Sequence, residues 1–196
     1  SKFNSFHEFY DDFFSELQRH EKYKFVFEAL IDFNYDNYLN EFSFYSKEDK
    51  IFRYTRDHLL GEKSYYKVMD LLFKKFNFSL TPELHKSLWM NSEDIKKLSS
   101  EGHIIGLHSH THPTRMGEKS YTFQYENYKK NKTILESVIK DKVKSMSHPC
   151  NSYNDDTLKI IEKLGIQIGF RSNLSSGFNS NYEIPRIDHS EILKLL

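Results

Sequence analysis

Cysteine is almost absent: Cys150 is the only one in 196 residues. A single thiol excludes a disulfide framework and a four-cysteine zinc site. Net charge is absent as well, because 28 Lys and Arg balance 28 Asp and Glu. A dedicated polyanion binder carries a basic surplus, so no nucleic-acid partner is expected. No apolar run approaches the roughly 20 residues that cross a bilayer. The polar and aromatic opening lacks a signal-peptide pattern. Glycine (7) and proline (4) are scarce while aromatic residues reach 16%, which excludes a disordered or low-complexity chain. One domain spanning 1–196 is the default at this length, and it can bury a core without covalent staples. What the sequence holds in excess is histidine: ten in all, four of them between 103 and 112.

Residues 5–19 set Phe6, Phe9, Tyr10, Phe13, Phe14 and Leu17 at the spacing of an amphipathic helix. The run YKFVFEALI (23–31) reads as a buried strand. Residues 41–80 read as mostly helical, with Tyr65, Val68, Met69, Leu72 and Phe73 in one stripe. Tyr45, Tyr54, Tyr65 and Tyr66 fit core packing better than a sugar groove. Thr81-Pro82 opens a further helix, with Thr as cap and Pro in the first turn. Residues 120–138 predict a helix, and KVKSMS (142–147) a strand.

Two stretches share one layout at an offset of 63 residues. Asn91 matches Asn154 as a helix cap, Ile95 matches Leu158, and Leu98 matches Ile161. Gly102 matches Gly165 as a left-handed stop, and Gly106 matches Gly169 inside the following strand. The strands would be HIIGL (103–107) and IQIGF (166–170). Helix–glycine–strand units that alternate in this way predict a parallel α/β sheet or barrel.

Functional groups in parallel α/β folds gather at the carboxyl ends of strands. Three places qualify: His108-Ser109-His110-Thr111-His112-Pro113, then His148-Pro149-Cys150-Asn151, then Arg171, the repeat equivalent of His108. His108 and His112 are four apart, which in a helical turn aims both rings at one point, as two ligands of a divalent metal require. In an extended segment 108, 110 and 112 would share a face instead. Two histidines are short of a catalytic zinc site, which takes three protein ligands and a water. His103 reads as structural and His110 as supporting. Ser109 and Thr111 would hydrogen-bond the backbone of the turn. His148, Pro149, Cys150 and Arg171 are candidates to line the site, but nothing provides Cys150 with a base that would make it a nucleophile.

The segment Gly102 to Pro113 resembles the metal-binding motif of polysaccharide deacetylases, the NodB-homology enzymes of carbohydrate esterase family 4. That motif has the core His-Ser/Thr-x-x-His. Residues 147–157 resemble the next motif, Arg-x-Pro-aromatic-Gly, although Ser147, Cys150 and Asn151 stand at its Arg, aromatic and Gly positions. The resemblance covers 89–171. It implies a single distorted (β/α) barrel with a helical insertion around 41–88. It also implies a divalent metal, zinc above all, held by His108 and His112, and hydrolysis of an N- or O-acyl group from a carbohydrate. A carboxylate would be general base and a histidine general acid.

The family's Thr-Phe-Asp-Asp-Gly motif, source of the base and the third ligand, is not found. Tyr10-Asp11-Asp12 resembles it only superficially, which leaves Asp12 a weak catalytic candidate beside His148 and His189. The motif and the first strand are expected before Ser1. Without a signal peptide, a cytoplasmic or membrane-proximal sugar intermediate is expected as substrate rather than cell-wall polymer. The alternatives are an inactive relative that binds metal or carbohydrate, and a sugar deformylase on the same barrel.

Overall fold

The computed structural model describes residues 6–40, 44–79, 81–174, 177, 180–187 and 192. The chain divides into two compact units, Ser1–Thr81 and Pro82–Leu196.

The first unit is helical. Helix α1 (Phe6–Gln18) is the amphipathic helix expected from its spacing. The run 23–31 is not a strand: a single tight turn at Glu21–Tyr23 leads into α2 (Lys24–Ile31). The same run satisfies both periods, because Tyr23, Val26, Phe27 and Leu30 also lie at i, i+3, i+4 and i+7. In the fold those four residues belong to the core of the unit, with Tyr23 and Val26 buried. Helix α3 (Lys47–Tyr54) starts at a capping box in which Ser46 and Asp49 satisfy each other's backbone N–H groups. It widens through Thr55–Leu60 and continues as α4 (Gly61–Lys75). Phe13, Leu17, Val26 and Val68 are fully buried, and Phe13 meets Phe52 edge-on at 4.9 Å between ring centroids.

The second unit is α/β. It contains α5 (Pro82–Leu88), α6 (Ser92–Ser100), α7 (Tyr121–Ile139), β1 (Ser145–Ser147), α8 (Asp155–Lys163) and β2 (Ile168–Phe170). The 63-residue repeat is present in three dimensions. Asn91 and Asn154 each cap their helix through a capping box. Gly102 and Gly165 each stop it with positive φ, +91° and +77°.

β1 and β2 pair in parallel, Met146 opposite Gly169. Leu107 bridges Met146 on one side, and Ile184 bridges Phe170 on the other, both parallel. The expected strand 103–107 is thus reduced to Leu107, and those at 142–147 and 166–170 to three residues each. No described backbone pairs with the free side of Leu107, and a strand persists only where a ladder holds it. Among the described residues no closed barrel forms.

Alternation along the strands separates two faces. Leu107 and Met146 join Tyr128, Ile160 and Ile161 in the core against α7 and α8. Ser145, Ser147, Ile168 and Phe170 are half-buried and face the other way. No described helix is long and apolar enough to cross a membrane.

Candidate metal centre

The histidine loop begins where the Leu107 bridge ends. Ser109 (φ +64°) and His112 (φ +50°) both adopt left-handed backbone, so the chain closes a tight turn rather than running extended. The Ser109 hydroxyl accepts from the His112 backbone N–H at 3.0 Å and closes it. His108 and His112 then face each other, with Nε2 atoms 3.0 Å apart and ring centroids 4.7 Å apart.

The His108 ring is oriented from behind. Its Nδ1 lies 2.9 Å from the Ser147 carbonyl oxygen at the end of β1. A carbonyl only accepts, so Nδ1 carries the proton and Nε2 keeps its lone pair. Withdrawal from water holds the His108 pKa below its ordinary 6.5. The Ser147 carbonyl opposes that shift, while His112 and Arg186 add to it. The neutral imidazole is the form that ligates metal. Two zinc ligands at tetrahedral angles lie about 3.3 Å apart, close to the spacing seen here. The pair therefore fits two positions of a divalent cation. Among the described residues no group of three His, Cys, Asp or Glu is placed to hold one.

Two asparagines one turn apart on α7 secure the loop. Asn131 Oδ1 accepts from the His108 backbone N–H at 3.1 Å. Asn127 Oδ1 accepts from the backbone N–H groups of His110 (2.7 Å) and Thr111 (3.3 Å), and its amide donates to Thr111 Oγ1 at 2.8 Å. Sequence reasoning passed over both. Their signal was two poor helix formers at i, i+4 in a long helix.

The other expected site residues each have their own surroundings. His148 is 2% exposed. Its ring stacks on Tyr153 at 4.1 Å, and Nε2 donates to the Tyr182 carbonyl at 2.7 Å. Tyr153 in turn donates to Glu183 at 3.1 Å. Arg171 is buried and donates to the Gly177 carbonyl at 3.1 Å. Pro149 is buried and Cys150 exposed. Cys150 and Asn151 both have positive φ, +49° and +55°. Asn is the non-glycine residue that best tolerates that region, which explains Asn151 at a motif glycine. Asp12 lies in the first unit, inside α1, where it pairs with Lys75 at 2.5 Å. His189 lies outside the described residues.

A family profile for polysaccharide deacetylase matches residues 55–169, more than half of the chain. The chain belongs to the polysaccharide deacetylase family. The matched segment includes the paired histidines, both asparagines of α7, and His148. Partial likenesses to solved members are found. A Streptococcus pyogenes deacetylase, PplD, in complex with acetate is 22% identical with a TM-score of 0.47, over 63% of this chain and 58% of that one. BA3943, a family 4 pseudoenzyme from Bacillus anthracis, is 22% identical with a TM-score of 0.37, over 50% of this chain and 35% of that one. The BpsB deacetylase domain from Bordetella bronchiseptica is 14% identical with a TM-score of 0.45, over 65% and 67%. The chain thus spans 58% and 35% of the first two relatives. No curated protein sequence matches it.

Proposed function

We propose that this protein is a metal-dependent hydrolase that removes an acyl group, acetyl above all, from a sugar or polysaccharide precursor. The observation that carries this reading is the 3.0 Å approach of His108 Nε2 and His112 Nε2 at the end of a parallel strand. Membership of the polysaccharide deacetylase family supports the substrate class. The parallel pairing from Leu107 to Ile184 supports reading the second unit as part of a distorted (β/α) barrel.

His108 and His112 would hold the metal, zinc above all. Bound there, it would supply polarisation of the acyl carbonyl and a water acidic near neutrality. The chain's own contribution is orientation. The Ser147 carbonyl selects the His108 tautomer, and Asn127 and Asn131 fix the backbone that carries both rings. Preorganised ligands of this kind spend no binding energy on ordering the loop. A general acid and base complete such a reaction, with His148 and His189 as the candidates.

A second reading, binding without turnover, is favoured by one observation. Among the described residues no carboxylate joins the histidine pair in a three-ligand group. Acetate release from a panel of N-acetylated sugars by zinc-loaded protein separates the two. The hydrolase reading expects acetate at a rate that falls when His108 or His112 is replaced by Ala. Zinc bound with no acetate from any sugar would leave the binding reading.

A further inference from the structure

The face of the sheet opposite the core opens into a depression of about 540 Å³, with His108 on its lining. Its walls combine the Ser145 and Ser147 hydroxyls with the apolar side chains of Ile168 and Phe170. Arg186 also lines it and is exposed. Among the described lining residues it is the one permanent charge, and no carboxylate lies among them. Nor does any described carboxylate form an ion pair with Arg186. Arg186 and His108 line the same depression, which places the guanidinium beside one member of the histidine pair.

We propose that the acylated sugar taken by this site carries an anionic group, phosphate or carboxylate, and that Arg186 binds it and so selects for charged substrates. The inference rests on the reading of the histidine pair as the reacting centre. A guanidinium presents a planar fork of N–H donors that matches both anions in bidentate fashion. The two hydroxyls supply neutral partners for sugar oxygens. A volume of 540 Å³ lies within the range of small-ligand sites. An exposed guanidinium that shares this lining with two serines and apolar side chains is well placed to meet an incoming anion.

The test is calorimetric binding to the full chain, zinc-loaded and metal-free, with three probes. These are neutral N-acetylglucosamine, N-acetylglucosamine 6-phosphate, and N-acetylmuramic acid, which carries a carboxylate. The expected result is at least about tenfold tighter binding of one or both charged sugars than of the neutral one. Which charged sugar gains identifies the anion. Arg186→Gln removes the difference between charged and neutral sugars, and Arg186→Lys restores part of it, with the unfolding midpoint unchanged in both. Equal affinity for all three probes, or a loss in Arg186→Gln that is the same for all three, overturns the proposal. Zinc content is read in the same samples. Anion preference without zinc would refute the metal-centre reading while this one stands, and zinc without anion preference the reverse.

Discussion

Asn131, midway along α7, accepts a hydrogen bond from the backbone N–H of His108 at 3.1 Å, across 23 residues of sequence. With Asn127 one turn earlier, it ties the histidine loop to a long helix whose other face is core. Replacing Asn127 with Ala leaves two backbone donors and the Thr111 hydroxyl without this partner. We expect a loss of about 1–3 kcal/mol in urea unfolding and zinc affinity weakened about 10- to 100-fold, as for other groups that orient metal ligands. Asn127→Asp keeps the acceptor and recovers much of the affinity. Unchanged zinc affinity in Asn127→Ala would show that the loop holds its shape unaided.

His148 gives a pH prediction with a definite sign. Burial holds its pKa below 6.5, against the opposing pull of the Tyr182 carbonyl and Glu183, and His108 adds to the lowering. The folded imidazole therefore stays neutral where the unfolded one begins to protonate. Its contribution to stability is complete above about pH 6.5. It is lost as pH falls below that toward the folded value, because the unfolded state binds the extra proton. Urea midpoints measured from pH 7.5 to 5 should fall, and the fall should be shallower in His148→Gln. An identical slope in the two proteins would mean that His148 titrates as it does in the unfolded chain.

Gly169 is fixed by space rather than by backbone angle. A Cβ there would lie 2.5 Å from the Tyr182 carbonyl oxygen, which is main chain and cannot swing away. Gly169→Ala must push apart β2 and the segment that bridges it at Ile184. We expect about 1–3 kcal/mol of destabilisation by urea titration. Gly102→Ala, at φ +91° in open space, should cost about 1 kcal/mol. Equal losses at the two sites would show that strand spacing is not what Gly169 protects.

Local signals made most of the second unit legible. Asn91, Gly102, Asn154 and Gly165 act through capping and φ, and neither needs a distant partner. The His108 and His112 pair was legible from a motif and a spacing of four. Residues 23–31 misled because their apolar positions satisfy strand and helix periods alike, and the helical neighbours decide between them. Strand 103–107 failed for a related reason: its residues favour a strand, but pairing is a property of the partner. Asn127 and Asn131 were missed because their roles rest on contacts across many residues. Nothing in their immediate neighbours records which loop they will face.

His108 and His112 together are expected to hold a divalent metal. The measurement is zinc per chain, by elemental analysis after dialysis against a weak chelator, on the full chain and on His108→Ala and His112→Ala. About one equivalent is expected in the unaltered protein and less than about a tenth in each variant, with both variants folded by circular dichroism. A full equivalent of zinc surviving in both variants, or none in the unaltered protein, would contradict it.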